Sequence, residues 1–232
     1  MFDLMSESAY VTLAGLFGGV LLGLAARLGR FCTLGAIEDL LYAGNSTRLR
    51  MWWLAIGVAV FGTYALVGAG KVEIEQSIYL SIRWMPLASV LGGLTFGYGM
   101  ALAGNCGYGA LARLGGGDLR AFVLVLVMGV SAYAMLSGPL AGWRVWMFEQ
   151  SDAALPQGFV QALSRMSGVS SAVLGMLAGA AIIVLALASS DMRKPAVFWG
   201  SIVGLAIVSG WAATGYAARE GFAALEPVSH SF

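Results

Sequence analysis

Six runs of about 20 mostly apolar residues, at 9–28, 51–70, 86–103, 120–141, 170–189 and 196–217, decide what this chain can become. Apolar residues occupy every side of each run, as in helices surrounded by lipid or protein rather than amphipathic helices on a surface. Within lipid, each backbone N–H and C=O must find its partner inside its own segment, which leaves helices as the structure for such runs. The expected fold is therefore all-α and polytopic, with residues 1–232 forming a single transmembrane domain. The composition agrees: 59% of residues are hydrophobic and 11% charged, too little charge to coat a water-soluble domain. A net charge of +1 gives no surface for a polyanion, so nucleic acid is not an expected partner. The first residues, MFDLMSES, carry Asp3 and Glu7 where a cleavable signal would place positive charge.

Two of the runs open a repeated sentence. LFGGVLLGLAARLGRFCTLGAIEDL from position 16 aligns without gaps on VLGGLTFGYGMALAGNCGYGALARL from position 90, at a constant offset of 74. Glycine and leucine matches come easily in such a chain. The cysteine match does not, because the only two cysteines, Cys32 and Cys106, fall in the same slot. The repeat units lie near 9–70 and 84–141. Each cysteine sits in a short apolar stretch bracketed by glycine, FCTLGAIEDLLYAG at 31–44 and GNCGYGALARLGGG at 104–117. Stretches too short to cross the membrane beside a full span dip in and return, or lie at the interface. They are expected as re-entrant or broken helices with the thiol at the break. Glycine pairs four apart, such as Gly15/Gly19, Gly19/Gly23 and Gly93/Gly97, are expected to clear faces for close helix approach. The hydrophilic stretch 143–167 is expected to lay an amphipathic piece on the outer surface.

The charges between spans are uneven. Segments following the first, third and fifth spans hold eight basic residues (Arg27, Arg30, Arg48, Arg50, Arg113, Arg120, Arg193, Lys194) against four acidic ones. The opposite side holds five basic against eight acidic. The positive-inside rule then places the N-terminus outside and the arginine-rich connections in the cytoplasm.

A single cysteine in a membrane helix ordinarily packs as a small hydrophobe. Here the slots repeat, no third cysteine exists, and each thiol lies at a break, which favours a functional pair. Equivalent positions in tandem units need not be close enough for a disulfide. A metal site would need more ligands, and the one histidine, His230, lies in the polar tail; neither metal nor cofactor is expected. Acyl transfer would need a base beside the thiol. Two uses remain: a polarizable hydrogen-bond partner for a soft solute, or a reactive sulfur for exchange. Arg30 and Arg113 flank the thiols, and ionisable groups at membrane depth are functional candidates. Against that stands their use as helix-end caps at the interface. Glu38 and Asp39 are expected at the interface, near Arg48 or Arg50. Helix N-termini at the breaks, with N–H groups exposed by Gly35, Gly104 and Gly107, suit an anion. Soft thiols beside such N-termini fit a sulfur-containing oxyanion better than a metal cation.

The segments GRFCTLGA at 29–36 and GNCGYGALARLGGG at 104–117, each preceded by a GG-x3-G span, closely resemble the YeeE/YedE family of sulfur-compound transport proteins. The resemblance implies a multi-pass protein of the bacterial inner membrane that imports thiosulfate or a related anion. It also implies an hourglass of pseudo-symmetric repeats whose short inserted helices meet at a narrow waist. Waist cysteines there pass the anion along through S–H···S contacts, a role the matching slots carry to Cys32 and Cys106. Arg30, Asn105, Gly107 and Arg113 lie in the same motifs and complete the expected substrate-binding set. Full-length members hold a second pair of repeats with a further cysteine. The segment 171–193 is similar to the opening of that half but has no cysteine, so 170–232 reads as a partial second half. A partner chain completing the pore, or a sulfurtransferase-type thiol protein, is the expected partner besides the bilayer and the anion. A transporter rather than an enzyme is expected; the alternative is a membrane-embedded thiol-redox or sulfur-transfer component.

Overall fold

The computed structural model describes residues 7–77, 80, 82–148, 157–188 and 192–219. Met1–Ser6 with Asp3, the stretch 149–156 within the expected surface piece, and the tail with His230 lie outside the described residues. Among the described residues, ten α-helices follow in chain order: α1 (Glu7–Arg27), α2 (Thr33–Ala43), α3 (Thr47–Gly68), α4 (Pro86–Ala103), α5 (Gly107–Gly115), α6 (Leu119–Leu136), α7 (Ala141–Met147), α8 (Phe159–Ser167), α9 (Ser171–Leu187) and α10 (Lys194–Arg219). A 3₁₀ turn, Ile74–Gln76, lies in the α3–α4 connection.

The fold is that of an all-α polytopic membrane protein. Among the described residues, four stretches are long and apolar enough to cross a membrane: Thr47–Gly68, Pro86–Gly115, Leu119–Leu136 and Lys194–Gly215. The two remaining expected spans are shorter apolar helices, Val11–Arg27 and Ser171–Leu187. Helix, break, short helix, long helix is the order of α1–α2–α3 and again of α4–α5–α6. In each the first helix gives way near a glycine: Gly29 follows α1, and Gly104 ends α4 in the left-handed conformation at φ 62°.

Helix α3 is the hub. It packs along α9 and α10, carries α2 against its start, and α1 leans on α10. Small residues decide these contacts. A Cβ on Gly179 would lie 2.8 Å from Phe61 Cα, and one on Gly204 would lie 2.8 Å from the Ala55 carbonyl oxygen. Gly175 likewise faces the Tyr64 ring with no room for a methyl group. The glycine stripes expected to serve this purpose do not. Gly15, Gly19 and Gly23 on α1, and Gly93 and Gly97 on α4, face open space. Spacing alone identifies a small-residue face but not which face another helix occupies. Helix α4 buries none of its residues, so its large apolar side chains stay available to lipid or to a neighbouring chain.

Of the expected surface piece, α8 is amphipathic. It packs on α9 and buries Gln161, whose amide nitrogen donates to the Tyr64 hydroxyl of α3 at 3.2 Å. Its Phe159 and Met166 remain exposed.

Candidate functional site

The two breaks meet. Cys32 and Cys106 occupy equivalent places, each the extended N-cap residue of its short helix, α2 or α5. Their sulfurs stand 3.5 Å apart as free thiols in hydrogen-bond contact. The Cys106 sulfur also accepts from the Gly109 N–H at 3.3 Å, capping the first turn of α5. Cys106 is buried and Cys32 partly exposed.

Neighbours in sequence hold the breaks together. Phe31, immediately before Cys32, is buried between Trp52 of α3, at a ring distance of 4.3 Å, and Tyr108 of α5, met edge-on at 6.2 Å. The Tyr108 hydroxyl donates to the Leu22 carbonyl of α1. Each such aromatic pair contributes about 0.5–1.5 kcal/mol beyond area burial. The first repeat's break is thereby clamped to the second repeat's short helix.

Beside the thiols lies a cavity of about 290 Å³, lined by Cys32, Asn105, Arg27, Arg30, Arg48 and Arg113 among others. Among the described residues, four arginines and one carboxylate, Glu38, line this wall. Asp39 pairs with Arg48 at 3.1 Å, the interfacial partnership expected for it, whereas Glu38 turns to the cavity. Arg50 is engaged elsewhere, donating to Ser46 Oγ and to the Leu185 carbonyl at the end of α9. Arg30 holds a left-handed backbone at φ 52°, the only non-glycine residue to do so among those described. That conformation costs roughly 1–2 kcal/mol in an L-residue, and strain of this kind concentrates at binding sites. Asn105 is 7% exposed, and its amide nitrogen is buried without a partner. A buried donor left unpaired costs about 1–3 kcal/mol, and this one belongs to a residue on the cavity wall.

Of the expected site residues, Cys32, Arg30, Asn105 and Arg113 line the cavity, and Cys106 touches Cys32. Gly107 does not join them. A Cβ there would meet the Met128 thioether at 3.1 Å, so its bareness lets α5 approach α6. No group of three or more His, Cys, Asp or Glu residues suited to a metal occurs among the described residues.

A family model described as sulphur transport matches residues 28–225, which include both cysteine segments. The chain belongs to the sulphur-transport family. Within and around that family, the chain is similar to the thiosulfate transporter TsuA of Spirochaeta thermophila, with 28% identity over 84% of this chain and 61% of that protein. It is 33% identical to the thiosulfate transporter TsuA of Escherichia coli over 56% of this chain and 36% of that protein. It is 32% identical to the probable transporter YedE of Salmonella typhimurium over 44% of this chain and 23% of that protein. The chain thus spans roughly a third to three-fifths of the TsuA relatives it matches.

Two wall residues of this member of the sulphur-transport family escape sequence reasoning. Arg27 ends α1, where basic residues are commonplace, and Arg48 begins α3 as one of several interfacial arginines. Gly35 explains how Arg48 arrives: a Cβ there would collide with its guanidinium, so the missing side chain lets Arg48 lie over the first turn of α2 beside Cys32. Gly35 matches Gly109 in the repeat, and a Cβ on Gly109 would collide with the Asn105 amide oxygen. The repeated glycine was therefore the available signal, marking in each unit the place where a polar side chain crosses the short helix.

Proposed function

We propose that this chain carries thiosulfate or a related sulfur-containing anion across the bacterial inner membrane into the cell, through a waist lined by Cys32 and Cys106. The observation that supports this most directly is the thiol pair at 3.5 Å beside a cavity walled by four arginines. The arginines supply the charge that draws a dianion out of water. The thiols supply what sulfate cannot use, a soft, polarizable contact for a terminal sulfur. Asn105 donates from its otherwise unpaired amide to an oxyanion oxygen, completing a site with cationic, amide and thiol contacts. Gly107 contributes through packing that sets α5 against α6. The relatives' names, thiosulfate transporter among them, support the same substrate class. On this reading the N-terminus is periplasmic, the arginine wall faces the cytoplasm, and a further segment or partner chain completes the waist.

Single replacement of Cys32 and Cys106 by Ala and by Ser, followed by uptake of labelled thiosulfate, tests the proposal. Uptake is expected to fall tenfold or more in the Ala variants at normal membrane insertion. Unchanged uptake in both would remove the thiols from the path. The adjacency of the sulfurs also favours a second reading, thiol exchange with the substrate. In that reading a cysteine thiolate attacks the outer sulfur of thiosulfate, the S–S bond of thiosulfate breaks, sulfite leaves and a persulfide forms. It requires that persulfide by mass spectrometry after exposure to thiosulfate, where simple passage leaves both thiols unmodified.

A further inference from the structure

A second cavity, of about 440 Å³, lies next to the thiol cavity and shares two of its wall residues, Arg30 and Arg48. It is bounded by Leu28 and Gly29 after α1, by Asn45 and Thr47 at the start of α3, and by Arg193, Pro195, Ala196 and Trp199 at the start of α10. Among the described residues, three arginines line it and one carboxylate, Asp39, which is already paired with Arg48. The wall is built rather than incidental. A Cβ on Gly29 would lie 2.7–2.8 Å from Trp199 Cγ and Cβ, so the chain before Arg30 is pressed onto α10. Arg30 then turns through its left-handed backbone to border both cavities. The positive end of the 26-residue helix α10 lies on the same wall. No thiol borders this second space.

We propose that the second cavity is a separate binding station for a tetrahedral oxyanion, which an anion leaving the thiols enters by passing from Arg30 and Arg48 to Arg193. The place on the path rests on the import reading above; the binding itself does not. With guanidinium groups and no thiol, the station takes sulfate as readily as thiosulfate. Discrimination belongs to the cysteine pair, and release to a site that holds oxyanions without regard to their terminal sulfur. A shared arginine wall lets one anion displace another by charge, as closely spaced ion sites do.

The probe is sodium sulfate, which has the charge and shape of the substrate without its terminal sulfur. It is titrated calorimetrically into the full chain in phosphatidylcholine nanodiscs. One sulfate site is expected, weakened at least tenfold by Arg193→Gln, largely restored by Arg193→Lys, and retained when Cys32 and Cys106 are both Ala. Thiosulfate uptake by Arg193→Gln is expected to slow several-fold. Absence of a sulfate site, indifference of sulfate binding to Arg193→Gln, or its loss in the double Ala variant would overturn the station. Loss of sulfate binding in nanodiscs containing phosphatidylglycerol would also overturn it, identifying a lipid headgroup phosphate as the occupant. Unchanged uptake in Arg193→Gln would remove the station from the path. Failure of the import reading shows separately, as thiosulfate uptake indifferent to both cysteines while the sulfate titration behaves as stated. Equal melting temperatures and elution profiles for the Gln and Lys variants separate lost binding from lost folding.

Discussion

Asn105 is the residue at which stability and binding oppose each other. Its buried amide nitrogen has no partner, so the folded protein bears the desolvation cost alone. Asn105→Leu keeps the branched outline at a somewhat larger volume and removes that donor. Thiosulfate uptake is expected to fall tenfold or more while the melting temperature holds or rises, read by uptake and thermal denaturation on the same preparation. A fall in both would show the amide to be structural. Gly35 makes the complementary case. The atom a new Cβ would strike is the far end of the flexible Arg48 side chain, so Gly35→Ala swings the guanidinium aside at little cost to the fold. Uptake is expected to drop several-fold with the melting temperature within a few degrees of the parent. These roles were only partly legible in the sequence. The repeat singled out Cys32, Cys106 and the glycine after each, but that Arg48 lies over Gly35 depends on how α3 returns past α2.

At the level of elements, the two kinds of glycine should part company. Gly179 on α9 lies against the α3 backbone at Phe61, where neither partner can yield easily. Gly179→Ala is expected to destabilise the protein by about 1–3 kcal/mol through overpacking. Gly93→Ala and Gly97→Ala, on the open face of α4, are expected to leave stability unchanged or raise it by up to about 1 kcal/mol through helix propensity. Thermal melts in one detergent compare the three directly. If the α4 variants were the destabilised ones, the open face would be a packed one. The element boundaries themselves were largely readable: the bracketing glycines located both breaks, and Gly44 and Gly104 indeed end helices in the left-handed conformation. Helix partners were not readable, because a helix apolar on every side carries no directional signal.

For the whole molecule, the charge asymmetry and the site point the same way. Arg27, Arg30, Arg48, Arg113 and Arg193 come from three different connections, yet they gather around two adjoining cavities. If that side faces the cytoplasm, a cysteine introduced at Asn45 in a chain lacking its native thiols should resist a membrane-impermeant maleimide in intact cells. One introduced at Lys71, across the α3 helix, should react. The reverse pattern would invert the topology and turn the arginine wall into an entrance.

The amino-acid sequence alone determined the solvent, the helical class, the duplicated unit and the cysteine slots. All of these follow from local composition and from self-similarity along one chain. Tertiary structure alone decided that the slots converge to 3.5 Å, that Arg27 and Arg48 join the wall, and that Asn105 is sealed without a partner. The reason is physical: periodicity encodes what each segment must bury, whereas the distance between segments 74 residues apart depends on side-chain volumes meeting across helices. Phe31 against Trp52 and Tyr108, and Gly29 against Trp199, supply those meetings here.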